Sequence, residues 1–204
     1  MFISGLSVST GSPTATQVNE YFDQFHGTAA HLWNDGLPGP ISGWQSAGHP
    51  DLRWVSWVQD DGSSLTNGQI LGGLESDPMG RIGYQIGDEP GLNGNGMEEL
   101  IALDVGVNVV RSADPNALII INFSFWAEEI DEMLDYFGAS MDADIYSYDR
   151  YALDYKEHET LALIRNAALK WNRPYWRYLR SFHYVQDGVG PHHPTDLLWS
   201  ACVG

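Results

Sequence analysis

Two adjacent carboxylates, Asp88 and Glu89, follow an apolar run that enters from Arg81-Ile82 and passes through Gly83-Tyr84-Gln85-Ile86-Gly87. Pro90 comes next and stops further strand pairing. Carboxylates at the end of a buried strand are costly unless something there uses or pairs them. The loop after them is glycine-rich, Gly91-Leu92-Asn93-Gly94-Asn95-Gly96, and a helical pattern follows. A strand that delivers an acidic pair to its C-terminal tip, then a loop and a helix, is how α/β enzymes present catalytic groups. The competing reading is a plain turn, with Asp88 as its cap and Glu89 as a solvated loop residue. Asp35, Asp60, Asp61 and Asp149 stand at other predicted strand ends. Asp149 is the favoured partner for Glu89, because it ends a strand rich in Tyr. Its structural alternative is an ion pair with Arg150 or Arg177. Asp60-Asp61-Gly62 and Asp35-Gly36 also read as turns.

The elements that must position these groups alternate along the chain. Strands are predicted at Phe2–Val8, Ala29–Asp35, Leu52–Gln59, the stretch from Ile82, Ala117–Phe123, Ala143–Asp149 and Pro174–Phe182. A helix capped by Thr14 or Thr16 runs to about Phe25. Residues 42–46 and 67–74 are weakly helical. Met97–Ser112 is the clearest helix, with Met97, Leu100, Ile101, Val105 and Val109 as its apolar stripe. Glu128–Phe137 turns Ile130, Met133, Leu134 and Phe137 inward. Glu157–Trp171 does the same with Leu161, Ile164, Ala168 and Trp171, and another helix starts near Pro194. Strand starts recur every 24–35 residues, close to the roughly 30 residues of a βα unit in a (β/α) barrel. The continuous apolar run Ala117–Phe123 suits a strand buried on both faces. A doubly wound open sheet is the alternative. The barrel is preferred, because strand after strand ends in polar or aromatic residues and no dinucleotide fingerprint follows the first strand.

Seven strands are counted, and the eighth is missing from the numbering. The expectation is therefore an incomplete TIM-type barrel, residues 1–204 forming a single domain that is a fragment of a longer chain. Exposed edges on the first and seventh strands would invite pairing with a second copy.

Composition narrows the ligand. The chain has 204 residues, 43% hydrophobic and 18% charged, enough for one sizeable core. Its net charge of -17 repels phosphate backbones, which argues against nucleic acid and suits neutral or cationic ligands. No apolar stretch is long enough to span a bilayer. Cys202 is the lone cysteine, which excludes an internal disulfide and a cysteine-based metal cluster. The start, Met1-Phe2-Ile3-Ser4-Gly5, lacks the basic and long apolar regions of a secretory signal. In a fragment that carries no message about compartment.

Ile86-Gly87-Asp88-Glu89-Pro90 resembles the Asn-Glu-Pro strand ending of the large clan of retaining glycoside hydrolases built on (β/α)8 barrels. It is closer to their relatives that read Asp-Glu-Pro. Asp144–Tyr151 resembles the sixth-strand pattern in which an Asp and a Tyr face the sugar. Arg173–Phe182 resembles the seventh strand, and Pro194–Ala201 the helix before the eighth. The likeness covers roughly the last 125 residues. It implies a general acid/base role for Glu89. Asp88 stands where the clan has an Asn that bonds the sugar 2-hydroxyl. A second anion beside the acid would raise its pKa. The clan's nucleophile is a Glu ending the seventh strand. Here that strand ends Leu179-Arg180-Ser181-Phe182-His183, without one.

Glycoside hydrolysis needs an acid for the leaving oxygen and a second carboxylate, about 5–5.5 Å away in retaining enzymes and ~6.5–9.5 Å in inverting ones. The expected pair is Glu89 and Asp149. Trp33, Trp57, Trp126, Tyr148 and Tyr151 could line the mouth and stack on sugar rings, or fill the core. Asn34, Asn122 and Arg180 could bond hydroxyls, as could Asp35, Asp60 and Asp88, or each could satisfy loop backbone. No cofactor is implied. His31, Asp35, His183, His192 and His193 lack any metal-ligand spacing, and no metal site is expected. The rival functions are a carbohydrate-binding barrel without catalysis and a metal-dependent barrel hydrolase.

Overall fold

The computed structural model describes Thr16, Asn19 and residues 30–32, 53–58, 80–92, 94–125, 127–149 and 155–178. The strands predicted at 2–8 and beyond 178, and the helices at 42–46, 67–74 and after 194, lie outside the described residues. Thr16 and Asn19 are helical, within the predicted first helix.

Among the described residues six strands form one sheet: β1 (Ala30–Leu32), β2 (Trp54–Val58), β3 (Arg81–Ile86), β4 (Leu118–Ser124), β5 (Ile145–Asp149) and β6 (Tyr175–Tyr178). The strand predicted as the fourth is thus β3. Every pair is parallel, and the order across the sheet is the order along the chain. A doubly wound sheet reverses its order at a switch point, whereas a barrel never does. The sequential order therefore decides for an incomplete (β/α) barrel.

Three helices connect the later strands: α1 (Gly96–Ala113), α2 (Ile130–Ser140) and α3 (Tyr155–Trp171). Asp114 caps α1 at its C-terminus, as the Asp-Pro dipeptide predicts. The stripe that α1 buries differs from the expected one. Gly96, Leu100, Leu103, Gly106, Val107 and Val110 are buried, while Ile101 and Val105 are 49% and 61% exposed. Met97 and Val109 lie partly buried beside that core. The buried residues follow steps of three and four, which hold one face at 3.6 residues per turn. The expected stripe drifted by repeated steps of four, and it discounted two glycines. In α2 the residues Met133, Leu134 and Phe137 are buried, and in α3 Leu161, Ile164 and Ala168, as expected.

Period-two alternation divides each strand between two cores. Tyr84 and Ile86 of β3, Ile119, Ile121 and Phe123 of β4, and Tyr146 and Tyr148 of β5 pack toward the helices. Phe137 stacks edge-on against Phe123 at 5.6 Å and lies 4.2 Å from the Tyr146 ring, and Tyr146 Oη donates to the Leu134 carbonyl at 2.9 Å. A smaller apolar cluster of Val55, Ile120 and Ile145 occupies the other face. Buried Gln85, Asn122 and Ser147 alternate with the helix-side residues, so the continuous apolar reading of β4 hides a polar position.

Before β4 and β5, Arg111 of α1 ties the chain together. Its guanidinium donates to the Ala117 carbonyl at 2.8 Å, the Asp142 carbonyl at 3.0 Å and Asp144 Oδ2 at 2.7 Å. The same Asp144 oxygen accepts from the Ile119 amide at 2.8 Å. This cluster sits at the strand N-termini, the end that serves stability in barrels. No helix among the described residues is long and apolar enough to cross a membrane.

Candidate active site

The loop after β3 is held from three sides. The Glu89 amide donates to the Asn122 carbonyl of β4 at 2.9 Å. Glu99, in the first turn of α1, accepts from the Gly91 amide through Oε2 at 2.6 Å. Leu92 closes a turn onto the Glu89 carbonyl at 3.0 Å. Two glycines make the path sterically open. Gly87 has φ +66 and Gly91 φ +86; an added Cβ would stand 2.6 Å from Leu103 Cδ2 at the first and 2.6 Å from Ala127 Cβ at the second. Glu89 itself is left-handed, φ 46, with a side chain that has a Cβ. Such a conformation costs on the order of 1–3 kcal/mol and persists only where its surroundings hold it.

The side chains of Asp88 and Glu89 are half-buried. Asp88 Oδ1 accepts from Asn122 Nδ2 at 2.8 Å and from Gln85 Nε2 at 3.1 Å. Gln85 Nε2 also donates to the Gly87 carbonyl at 3.2 Å. Asn122 Oδ1 accepts from Ser147 Oγ at 3.0 Å, across a pair of register partners of β4 and β5. Asp149, two residues beyond Ser147, ends β5, near enough for its charge to act on the Glu89 carboxyl. Neighbouring carboxylates in a partly buried site resist ionising together.

Electrostatics follow from that geometry. Burial pushes the Glu89 carboxyl well above the usual range. The nearby Asp149 and Asp88 carboxyls push in the same direction. Asp88 is pushed up to about 6, chiefly by burial; the Asn122 bond pulls it down, Asp149 raises it, and the Gln85 bond pulls it down again. Glu89 is therefore the group fitted to carry a proton at neutral pH.

Of the residues singled out by sequence, the structure brings together Asp88, Glu89, Asn122 and Asp149. Tyr148 is elsewhere. It is 1% exposed in the helix-side core, edge-on to Phe125 at 5.3 Å. Alternation sets it on the face opposite its neighbours Ser147 and Asp149, so the expected stacking role is corrected to core packing. Trp57 lies on β2, but its side chain is outside the described part, as are Trp33, Asn34, Asp35, Asp60, Trp126, Tyr151 and Arg180. Gln85 and Ser147 went unremarked in the sequence. Their signal is polarity at every second position, Gly83 and Gln85, Asn122 and Ser124, Ser147 and Asp149. Among the described residues no three His, Cys, Asp or Glu side chains are grouped to hold a metal ion. His183, His192 and His193 lie outside them.

No protein-family model matches the sequence, and no curated protein matches it. Solved structures do. N2152 from Neocallimastix frontalis is similar with a TM-score of 0.62 at 14% identity, covering 85% of this chain and 50% of that one. The catalytic domain of a mannanase from Streptomyces sp. SirexAA-E gives 0.64 at 14%, covering 97% and 70%. A psychrophilic family 10 endo-β-1,4-xylanase gives 0.53 at 14%, covering 80% and 68%. The chain thus spans half the length of N2152 and about two thirds of the other two. The likeness is one of architecture: the chain has the (β/α)-barrel fold that glycoside hydrolases carry.

Proposed function

We propose that the chain is a glycosidase-like barrel hydrolase acting on an oligo- or polysaccharide, with Glu89 as general acid. One observation carries the reading: Glu89 is half-buried after β3, with the Asp149 carboxyl at the end of β5 and the Asp88 carboxyl both acting on it. Ionising Glu89 there would place three negative charges together in a partly buried site, so the proton stays until a better acceptor arrives. A glycosidic oxygen in bonding range takes that proton as its bond to the anomeric carbon breaks. Water adds to the anomeric carbon of the oxocarbenium ion and gives a proton to the Glu89 carboxylate, which restores the acid. Asp149 is assigned as the neighbour that keeps the proton on Glu89, because its charge raises that carboxyl.

The test uses soluble mannan, β-1,4-xylan and related glycans. Glu89→Gln should lose about 10²–10⁴-fold in kcat with the fold intact. Asp149→Asn should shift the alkaline limb of kcat/KM to lower pH, because it removes the anion that raises the acid. Unchanged hydrolysis by Glu89→Gln rejects the assignment. A second reading, a sugar-binding barrel without catalysis, is favoured by the absence of a Glu in Leu179-Arg180-Ser181-Phe182-His183. Glycan binding with no turnover on the same panel would establish it.

A further inference from the structure

We propose that Asn122 is a positioning residue for Glu89, braced by Ser147, and not a ligand for sugar hydroxyls. Its functional part rests on the general-acid reading of Glu89. Asn122 is 1% exposed and Ser147 is fully buried, so neither is placed at an open surface. Three groups of Asn122 are already engaged. Its carbonyl accepts the Glu89 amide at 2.9 Å. Its Nδ2 donates to Asp88 Oδ1 at 2.8 Å, and its Oδ1 accepts from Ser147 Oγ at 3.0 Å. One residue of β4 thus grips the Asp88-Glu89 peptide from both ends, through main chain and side chain.

The Asp88 carboxylate, which can only accept, makes that grip directional, and Ser147 completes it. An amide can present either its oxygen or its NH2 group to a neighbour. With the Ser147 hydroxyl donating to Oδ1, the NH2 group faces the Asp88 carboxylate. The flipped amide would set a carbonyl against that carboxylate. Gln85 holds the same Asp88 oxygen from β3 at 3.1 Å. Asp88 is therefore an anchor sunk into the sheet, and the left-handed Glu89 is levered out beside it toward Asp149. The relay Ser147, Asn122, Asp88 joins three adjacent strands, so the position of the acid depends on β4 and β5 as much as on its own loop.

The experiment combines carboxyl ¹³C NMR titration with kinetics on whichever of mannan or β-1,4-xylan is hydrolysed. The variants are Asn122→Ala and Ser147→Ala in the full chain, with Glu89→Gln as a control. Removing a donor to the Asp88 carboxylate should raise the Asp88 titration midpoint, more in Asn122→Ala than in Ser147→Ala. The kcat should fall by about tenfold or more with KM little changed, since a displaced acid costs rate and not binding. Should Asn122→Ala fail to fold, Ser147→Ala, which removes one buried oxygen, decides. An unmoved Asp88 midpoint overturns the relay. A raised midpoint with unchanged kcat overturns the positioning role. Hydrolysis that survives Glu89→Gln overturns the general-acid reading itself, and the Asp88 titration, which needs no activity, keeps the two failures apart.

Discussion

Asp88 is the residue whose chemistry is most exposed to a direct test. Its carboxyl is raised to about 6, chiefly by burial, and it sits one residue from Glu89. A group whose folded pKa lies above its unfolded one adds stability that is complete below the unfolded value. That stability is lost as pH rises through the folded value. For Asp88 the loss runs from about pH 4, the ordinary Asp range, to about pH 6. Asp88→Asn keeps an oxygen for Asn122 and Gln85 and removes the buried charge. It should stabilise the protein on the order of 1–3 kcal/mol at pH 7 and by far less at pH 4. Thermal melts at the two pH values check this; an equal effect at both would show that Asp88 carries no charge penalty.

At the scale of elements, α1 does two jobs. Its first turn clamps the loop through Glu99, and Leu103 fills the space that Gly87 leaves open. The buried stripe of α1 departs from its apolar pattern in sequence, and the departure can be measured. Leu103→Ala should cost about 2–4 kcal/mol, because Leu103 is 5% exposed against β3. Ile101→Ala should stay within about 0.5 kcal/mol, because that side chain faces water. Urea unfolding of both variants compares them; equal losses would mean that α1 packs on the face read from sequence. The strands correspond more closely to their sequence pattern, since apolar runs and turn signals are local. The face each residue takes is also local in principle, but the run Leu118–Phe123 offers no break in polarity except Asn122.

For the whole molecule, excess negative charge opposes the compact state. With 27 acidic against 10 basic residues the net charge is -17, and self-repulsion favours expanded states. Raising sodium chloride from about 20 to about 500 mM at pH 7 should therefore raise the melting temperature by about 2–5 °C. A flat or falling profile would mean that local ion pairs, such as Arg111 with Asp144 at 2.7 Å, outweigh the general repulsion. The sequential parallel sheet adds a second consequence. Each of β2 to β5 is hydrogen-bonded to the strands before and after it in the chain, so β3, β4 and β5 lie within the sheet and carry the site on paired neighbours.

By itself the sequence determined the alternation of strands and helices, the strand tip that carries Asp88 and Glu89, and the helices after it. Those follow from periodicity, glycine and proline, which act over a few residues. It also singled out Asp149 as a candidate carboxylate, through its place at a strand end. Tertiary structure alone decided that a single strand, β4, separates β3 from β5, which brings Asp149 against Glu89. It alone consumed the Asn122 amide in a buried relay and turned Tyr148 into the helix-side core. Register and facing are set by contacts between residues 25 or more positions apart, and no short-range pattern encodes which of two chemically suitable neighbours a buried polar group will meet.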